Sequence, residues 1–216
     1  MATTIQSGRS NSPKLTADVA SRAEVYGGRG LVFDGSTDYL DCGESLCNSL
    51  GDNYSGGLTV SMWFNANALL RGLFSMGTSF SSYIGLFTLS FNNNKLVWDL
   101  ANANYEESSA LSTGQWYQVT AVLDTNSESN TILYINGKSD MNLNGSGSFP
   151  SVGGLDFQAV SKIIIGGYYN TSYLFDGKIC NLKIFDTALT EAQVQELYKK
   201  PENTPSAVQD NLVAWY

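Results

Sequence analysis

Leu31-Val32-Phe33-Asp34-Gly35-Ser36-Thr37-Asp38-Tyr39-Leu40-Asp41 is the stretch that decides the fold. An apolar strand runs into an Asp-Gly corner and out into a second short strand, because Asp accepts backbone hydrogen bonds in turns and Gly tolerates positive φ. The same corner returns as Phe175-Asp176-Gly177 and leads into a strand at 178–185. Two matched corners about a domain apart predict that the first and last strands of one sheet lie side by side and close a β-sandwich.

The segments between the two corners show the period of β-strands. Residues 58–65 alternate, with apolar side chains at the even positions, which is the pattern of a half-buried strand. Asn92-Asn93-Asn94 is expected to turn the chain, and Asn136-Gly137 is a strong signal for a type I′ hairpin. Further strands are expected at 70–76, 83–91, 95–101, 117–123 and 131–135, with one buried on both faces at 163–165.

One convincing helix follows the last of these strands. Thr190 and Gln193 form a capping box, and Leu189 and Val194 stand at the positions of a hydrophobic staple. Pro201 ends the helix, since proline cannot continue the backbone hydrogen bonding. We expect this helix to lie across one end or the outer face of the sandwich.

The chain divides into three zones. Residues 1–28 form a polar N-terminal tail, flexible or bound to a partner, with at most a short helix at 17–26. Residues 29–200 form the main domain, and residues 201–216 form a C-terminal extension. Its last residues, Asn211-Leu212-Val213-Ala214-Trp215-Tyr216, predict either a strand added to this domain or the opening strand of a following one. We favour the first, because six residues cannot fold alone.

Composition narrows the class of partner. The net charge of −8 and the absence of any Lys/Arg cluster argue against nucleic acid and anionic membranes, which need a basic face. No apolar run approaches a membrane span, and the first ten residues lack the apolar stretch of a secretion signal. The chain is therefore expected to fold in a reducing cytosol. Cys42, Cys47 and Cys180 are expected as free thiols, with a Cys42–Cys47 pair left open.

The sequence lacks the usual catalytic groups. It contains no histidine, which excludes a histidine general base, a catalytic triad that uses histidine, and metal coordination by histidine. Most Asp residues fall in turns, and the adjacent Glu106 and Glu107 should point to opposite faces of a strand. We predict that the protein is not an enzyme.

Five motifs in order carry a family resemblance. They are 31–35 with 38–40, Leu58-Thr59-Val60-Ser61-Met62-Trp63-Phe64, Gly114-Gln115-Trp116-Tyr117-Gln118-Val119, Leu133-Tyr134-Ile135-Asn136-Gly137, and 175–179 leading to 185–190. Over residues 30–200 the chain resembles the laminin-G-like branch of the concanavalin A-like lectin/glucanase superfamily. The resemblance implies an all-β jelly-roll sandwich of two antiparallel sheets.

Two features of that family bear on this chain. Its glucanases typically carry Glu-x-Asp-x-x-Glu, and this sequence has no such run. Some relatives hold a structural calcium ion, for which Asp34 and Asp176 could offer oxygens. Their place in Asp-Gly turns explains both residues without an ion, so no cofactor is expected.

A loop rich in Tyr and small polar residues is the best candidate binding surface. Tyrosine supplies rigid amphipathic area, and Asn and Ser supply adaptable hydrogen bonds. Aromatic residues of the Asn-rich region would add stacking for a sugar ring. The alternative is that these aromatics pack over the sandwich edge or against a neighbouring subunit. The candidate residues are Trp98, Tyr105, Tyr168, Tyr169, Asn170 and Tyr173.

These observations predict a non-catalytic binding protein. The setting we favour is the surface of a tailed-phage particle, as a capsid-decorating or fibre protein that presents a lectin-like domain to glycans or a host surface. Residues 1–28 would then attach to other particle subunits. The alternatives are a carbohydrate-binding or adhesion module of a larger bacterial surface protein, and a purely structural particle subunit. Whether the protein forms a homo-oligomer is left open.

Overall fold

The computed structural model describes residues 14–15, 30–43, 45, 47, 56–76, 87–100, 104–127, 130–140, 142–143, 162–168 and 173–216. The first strands are β1 (Lys14–Leu15), β2 (Leu31–Asp34), β3 (Leu40–Asp41), β4 (Leu58–Ala66), β5 (Gly72–Met76), β6 (Phe87–Asn92), β7 (Lys95–Leu100) and β8 (Asn104–Glu107). They are followed by β9 (Trp116–Leu123), β10 (Ile132–Ile135), β11 (Lys138–Ser139), β12 (Asn142–Leu143), β13 (Ile163–Ile165), β14 (Asp176–Phe185) and β15 (Leu212–Trp215). Between β14 and β15 lie helix α1 (Glu191–Lys199) and a 3₁₀ helix (Ser206–Asn211).

The strands form two antiparallel sheets stacked as a sandwich. Among the described residues, one sheet has eight strands in the order β1-β3-β13-β5-β6-β7-β8-β12. The other has seven described strands, in the order β11-β10-β9-β4-β14-β15, with β2 also paired to β14. The two sheets confirm the predicted all-β jelly-roll class.

The two Phe-Asp-Gly corners meet directly. Asp34 lies opposite Asp176 in the β2–β14 pair, and the Gly35 amide donates to the Phe175 carbonyl at 3.0 Å. Gly177 has a φ of 148°, and a Cβ there would lie 2.2 Å from the Asn65 carbonyl oxygen of β4. Only glycine fits this position, so the corner sequence brings three strands together. The strands of the two corners pair as predicted, but the last strand of this sheet is β15 and not β14.

Helix α1 begins as the capping box predicts. The Gln193 amide donates to Thr190 Oγ1 at 3.4 Å, and the Thr190 amide donates to Gln193 Oε1 at 2.8 Å. Leu189 and Val194 are both buried in one apolar cluster, as a hydrophobic staple requires. Sequence alone therefore located this helix correctly.

The outer face of the seven-stranded sheet is covered by α1. Its buried residues Val194 and Leu197 pack with Val122 and Phe185 of the sheet, and the Tyr198 ring stacks on Trp63 at 5.6 Å. The half-buried pattern expected for 58–65 is therefore wrong: the outward residues Thr59, Ser61 and Trp63 are buried like the inward ones, and only Asn65 is partly exposed. A strand pattern reports side-chain polarity, and only the tertiary structure shows what covers each face.

Several local predictions are confirmed. Asn136 and Gly137 both have positive φ, 53° and 73°, as a type I′ hairpin requires. Asn93 and Asn94 turn the chain between β6 and β7. Residues 163–165 are buried throughout. The three cysteines are free.

One predicted strand is shorter than expected, and other predictions are not tested. The strand expected at 70–76 begins at Gly72, where its pairing with β6 begins, and Leu70 before it is 67% exposed. Residues 83–86 and the helix expected at 17–26 lie outside the described residues. Among the residues that are described, no helix has the length and apolarity needed to cross a membrane.

Candidate functional site

One end of the sandwich gathers several loops that expose polar and aromatic groups. We call it the loop end, and its described residues are 35–39, 67–71, 92–95, 108–115, 166–168 and 173–175. These loops come from distant parts of the sequence. They meet here because the strands that flank them all begin or end at the same end of the two sheets.

Backbone hydrogen bonds hold these loops to one another. Their donor–acceptor distances run from 2.7 to 3.2 Å, which is the normal range for amide–carbonyl bonds. They join Asn67 to Asp176, Gly72 to Tyr173, Phe91 to Arg71, Leu111 to Asn94 and Gly114 to Ala66. A surface fixed in this way loses little conformational freedom when it binds a ligand.

Tyr168 and Tyr173 form an aromatic pair at the loop end. Their ring centroids are 5.6 Å apart with an interplanar angle of 72°, an edge-to-face pair. Tyr173 is 60% exposed and has a φ of 58°. A bulky residue with positive φ is uncommon and strained, so the backbone holds this exposed ring at a conformational cost.

The tyrosine pair rests on a close backbone contact. A Cβ on Gly72 would lie 2.7 Å from the Gly167 carbonyl carbon and 2.8 Å from the Tyr168 amide nitrogen. Gly72 therefore lets β5 run directly beneath the loop that carries Tyr168. Its own amide donates to the Tyr173 carbonyl at 2.9 Å, which fixes both sides of the pair.

Polar and apolar groups share the loop end with the tyrosines. Leu70 is 67% exposed, and the adjacent Arg71, the one arginine among the described residues, is exposed too. The remaining exposed side chains include amides and hydroxyls from Asn67, Asn92, Asn93, Asn94, Ser109, Ser112, Thr113 and Gln115. Sequence reasoning missed Leu70 and Arg71, because the strand pattern extended through both of them.

The predicted site residues do not all lie at the loop end. Trp98 is 1% exposed and packs on Phe87 in the core, with ring centroids 5.2 Å apart. This corrects its assignment as a stacking residue: the even positions of β7 face the sandwich interior. Tyr105 lies in β8 opposite Asp99, and its side chain is outside the described set. Tyr169 and Asn170 also lie outside the described residues.

The carboxylates of the two corner aspartates, Asp34 and Asp176, already accept hydrogen bonds from neighbouring residues of the chain. The Asp34 carboxylate accepts hydrogen bonds from the amides of Ser36, Thr37 and Asp38 at 2.7–3.0 Å and from the Thr37 hydroxyl at 2.8 Å. These bonds, those from Thr37 and Ser36 above all, hold the pKa of Asp34 well below its usual range. Asp176 accepts from the Asn67 amide group at 2.8 Å. In the described part of the chain no three acidic or cysteine residues cluster in a way that could hold a metal ion.

Two acidic residues share the outer face of the eight-stranded sheet. Asp99 lies opposite Tyr105, and Glu107 lies opposite Val97, so the two acids are diagonal neighbours on β7 and β8. Burial raises the pKa of Asp99 to about 6. Glu107 instead forms an ion pair with Lys95 at 2.9 Å. The register brings these acids to one face, which their separation in sequence did not reveal.

The fold defines a two-sheet jelly-roll with an outer helix. A family model described as the concanavalin A-like lectin/glucanases superfamily, Laminin_G_3, matches residues 34–195. The chain belongs to this family. No curated protein matches it in sequence.

Solved structures share the fold at low sequence identity. Domain 4 of AbnA, a GH43 extracellular arabinanase from Geobacillus stearothermophilus solved with arabinotriose, is 20% identical, with a TM-score of 0.59 over 84% of this chain and 82% of that one. A heptameric SAP-like pentraxin from Limulus polyphemus is 17% identical, with a TM-score of 0.54 over 86% and 90%. The binding domain of botulinum neurotoxin serotype D is 15% identical, with a TM-score of 0.65 over 88% and 47%. At these identities the likeness establishes the fold.

Proposed function

We propose that this protein is a non-catalytic, lectin-like binding domain and that its loop end contacts a glycan. Tyr173 and Tyr168 would offer aromatic faces and edges to the sugar ring. The surrounding amides and hydroxyls, including Asn67, would exchange hydrogen bonds with sugar hydroxyls.

The observation that carries the proposal is the conformation of Tyr173. An aromatic side chain that is 60% exposed gains little from burial, and a φ of 58° costs stability. Backbone strain of this kind clusters at active sites and at ligand-binding segments. The hydrogen bond from Gly72 to the Tyr173 carbonyl supplies the support that such a residue needs.

The family supports a carbohydrate ligand. One structural neighbour is an arabinanase domain solved with arabinotriose, and another is the binding domain of a neurotoxin. Tyrosine with Asn and Ser is the composition of adaptable recognition surfaces. The net charge of −8 favours a neutral ligand over a polyanion, because like charges repel.

A glycan array tests the binding function. We expect the native chain to bind a defined subset of glycans and expect Tyr173→Ala and Tyr168→Ala to lose at least tenfold in affinity, as removal of a stacked aromatic does. Trp215→Ala is the matched control, since Trp215 is 37% exposed but lies on β15, away from the loop end. A flat array, or equal losses in all three variants, would reject the loop end as a glycan site.

The absence of catalysis is part of the proposal. Support comes from the lack of histidine and from the ion pair that engages Glu107 next to the half-buried Asp99. A screen over polysaccharides checks it directly. Turnover that disappears in Asp99→Asn or Glu107→Gln would show that the outer face of the eight-stranded sheet is an active site.

A second proposal concerns the assembly in which the protein works. We place the domain on the surface of a tailed-phage particle, with residues 1–28 attached to other subunits and the loop end facing outward. Lys14 lies opposite Asp41 and Leu15 lies opposite Leu40, so β1 runs antiparallel to β3 and towards the loop end. A module of a larger bacterial surface protein is the alternative. Deleting residues 1–28 should release the folded domain from purified particles, and retained attachment would contradict the proposal.

A further inference from the structure

Arg71 lies between two other chain segments of the loop end. On one side the Gly72 amide donates to the Tyr173 carbonyl at 2.9 Å, and on the other side the Phe91 amide donates to the Arg71 carbonyl at 3.2 Å. Residues 70–72 therefore run between the segment that carries Tyr173 and the turn that joins β6 to β7. Segments bonded in this way are about 5 Å apart, so the strip that they form is about 10 Å wide.

The three segments of this strip expose different chemical groups. Tyr173 contributes an exposed aromatic ring. Leu70 and Arg71 contribute an apolar side chain and a cation, and both residues are exposed. The turn contributes the exposed amide groups of the asparagines at 92–94. The strip therefore offers stacking, apolar contact, hydrogen bonding and one positive charge within the span of a short oligosaccharide.

The guanidinium of Arg71 has no partner within the described part of the chain. Among the described residues, ion pairs join Lys95 to Glu107 and Lys162 to Asp41, and no hydrogen bond or ion pair involves the Arg71 side chain. Lys95, the other described cation of the loop end, is therefore already engaged. The donors of the guanidinium are available to a ligand.

The neighbours of Arg71 distinguish it from an ordinary surface arginine. An exposed arginine by itself implies no ligand, because water satisfies its donors. Arg71, however, adjoins Gly72, whose amide supports the strained backbone of Tyr173, and its own carbonyl is held by Phe91. The residue that carries the cation is therefore fixed next to the segment that carries the proposed sugar-binding ring.

We infer that the loop end takes a glycan that carries a carboxylate group, and that Arg71 binds this carboxylate while Tyr173 contacts the sugar ring. The inference rests on the proposed glycan function and names the class of its ligand. The planar guanidinium presents paired N–H groups that match the two oxygens of a carboxylate. A single charged residue that fixes the orientation of the ligand is a regular part of such sites.

The net charge of −8 does not oppose a single carboxylate at this position. Exposed charges more than about 8–10 Å away are largely screened at physiological ionic strength, whereas the guanidinium would be in contact with the ligand. A heavily sulfated chain is different, because Arg71 is the one unengaged cation among the described loop-end residues. The expected ligand is therefore a glycan with isolated carboxylates and not a polyanion.

Matched pairs of glycans test the inference. Each pair consists of a carboxylated oligosaccharide and its methyl ester, which keeps the sugar and loses the charge. On an array of such pairs, the native chain should bind at least one acid and should bind the corresponding ester about tenfold more weakly. Arg71→Gln should remove most of this difference, and Arg71→Lys should restore part of it, because lysine keeps the charge but not the paired donors. Raising NaCl from about 50 mM to about 500 mM should weaken binding of the acid more than binding of the ester.

Lys162→Gln is the matched control, because Lys162 is also exposed but precedes β13 at the end of that strand away from the loop end. This variant should keep the full difference between acid and ester. An Arg71→Gln variant that also keeps the full difference, or a native chain that binds neutral or sulfated glycans alone, overturns the carboxylate assignment and leaves the loop end as a glycan site. A flat array instead rejects the glycan function, and the carboxylate assignment with it.

Discussion

Gly177→Ala tests the corner that organises the fold. The added Cβ would lie 2.2 Å from the Asn65 carbonyl oxygen, 2.9 Å from the Phe175 ring and 3.0 Å from the Ala66 Cα. Two of these three contacts are backbone atoms of β4, which cannot rotate away. The strand pair must therefore separate locally by about 1 Å to restore normal contact distances.

The expected cost has two parts. The φ of 148° at Gly177 costs roughly 1–3 kcal/mol for a residue with a side chain. Weakening about two backbone hydrogen bonds between β14 and β4 adds about 1 kcal/mol each. We therefore expect a loss of about 3–5 kcal/mol in the free energy of unfolding, which for a chain of this size lowers Tm by about 6–20 °C.

Gly114→Ala is the matched control. Gly114 also has a positive φ, 74°, but nothing lies within 4 Å of its added Cβ. Only the conformational cost of about 1–2 kcal/mol applies there. Urea unfolding followed by tryptophan fluorescence would compare the midpoints and slopes of both variants with the native chain. Equal losses in the two variants would refute the argument that strand contact at Gly177 decides the corner.

Three other outcomes follow from the described contacts. Burial raises the pKa of Asp99 from 3.8 to about 6, so the folded state holds a proton that the unfolded state releases between these values. The free energy of unfolding should therefore fall as the pH rises from 4 to 6. Asp99→Asn should remove this pH dependence and raise the free energy of unfolding by up to about 3 kcal/mol at pH 7, as measured by urea titration. Thr190→Ala should remove the helix cap and lower the free energy of unfolding by about 1 kcal/mol. The control is Ser206→Ala: Ser206 is exposed and the 3₁₀ helix has no side-chain cap, so Tm should not change. Because Asp34 is satisfied by its own turn, EDTA should leave Tm unchanged; a drop of several degrees would reveal a bound cation.

Features carried by neighbouring residues followed from the sequence. The Phe-Asp-Gly corners, the Asn136-Gly137 hairpin and the capping box at Thr190 are each complete within a few residues, so the local chain already contains the turn geometry or hydrogen bond that defines them. The repeated corner also predicted a contact between residues more than 140 positions apart. The net charge, which is known from composition alone, argued against nucleic-acid binding.

Features that depend on which faces meet did not follow from the sequence. Trp98 has the same aromatic character whether it faces solvent or core, and only the register of β7 against β6 places it inside. The exposure of Leu70 just before β5 and the shared face of Asp99 and Glu107 likewise follow from strand pairing. The sequence determined the turns and the alternation of each strand. The tertiary structure decided which side of each strand is covered, because burial depends on neighbours that are distant in the chain.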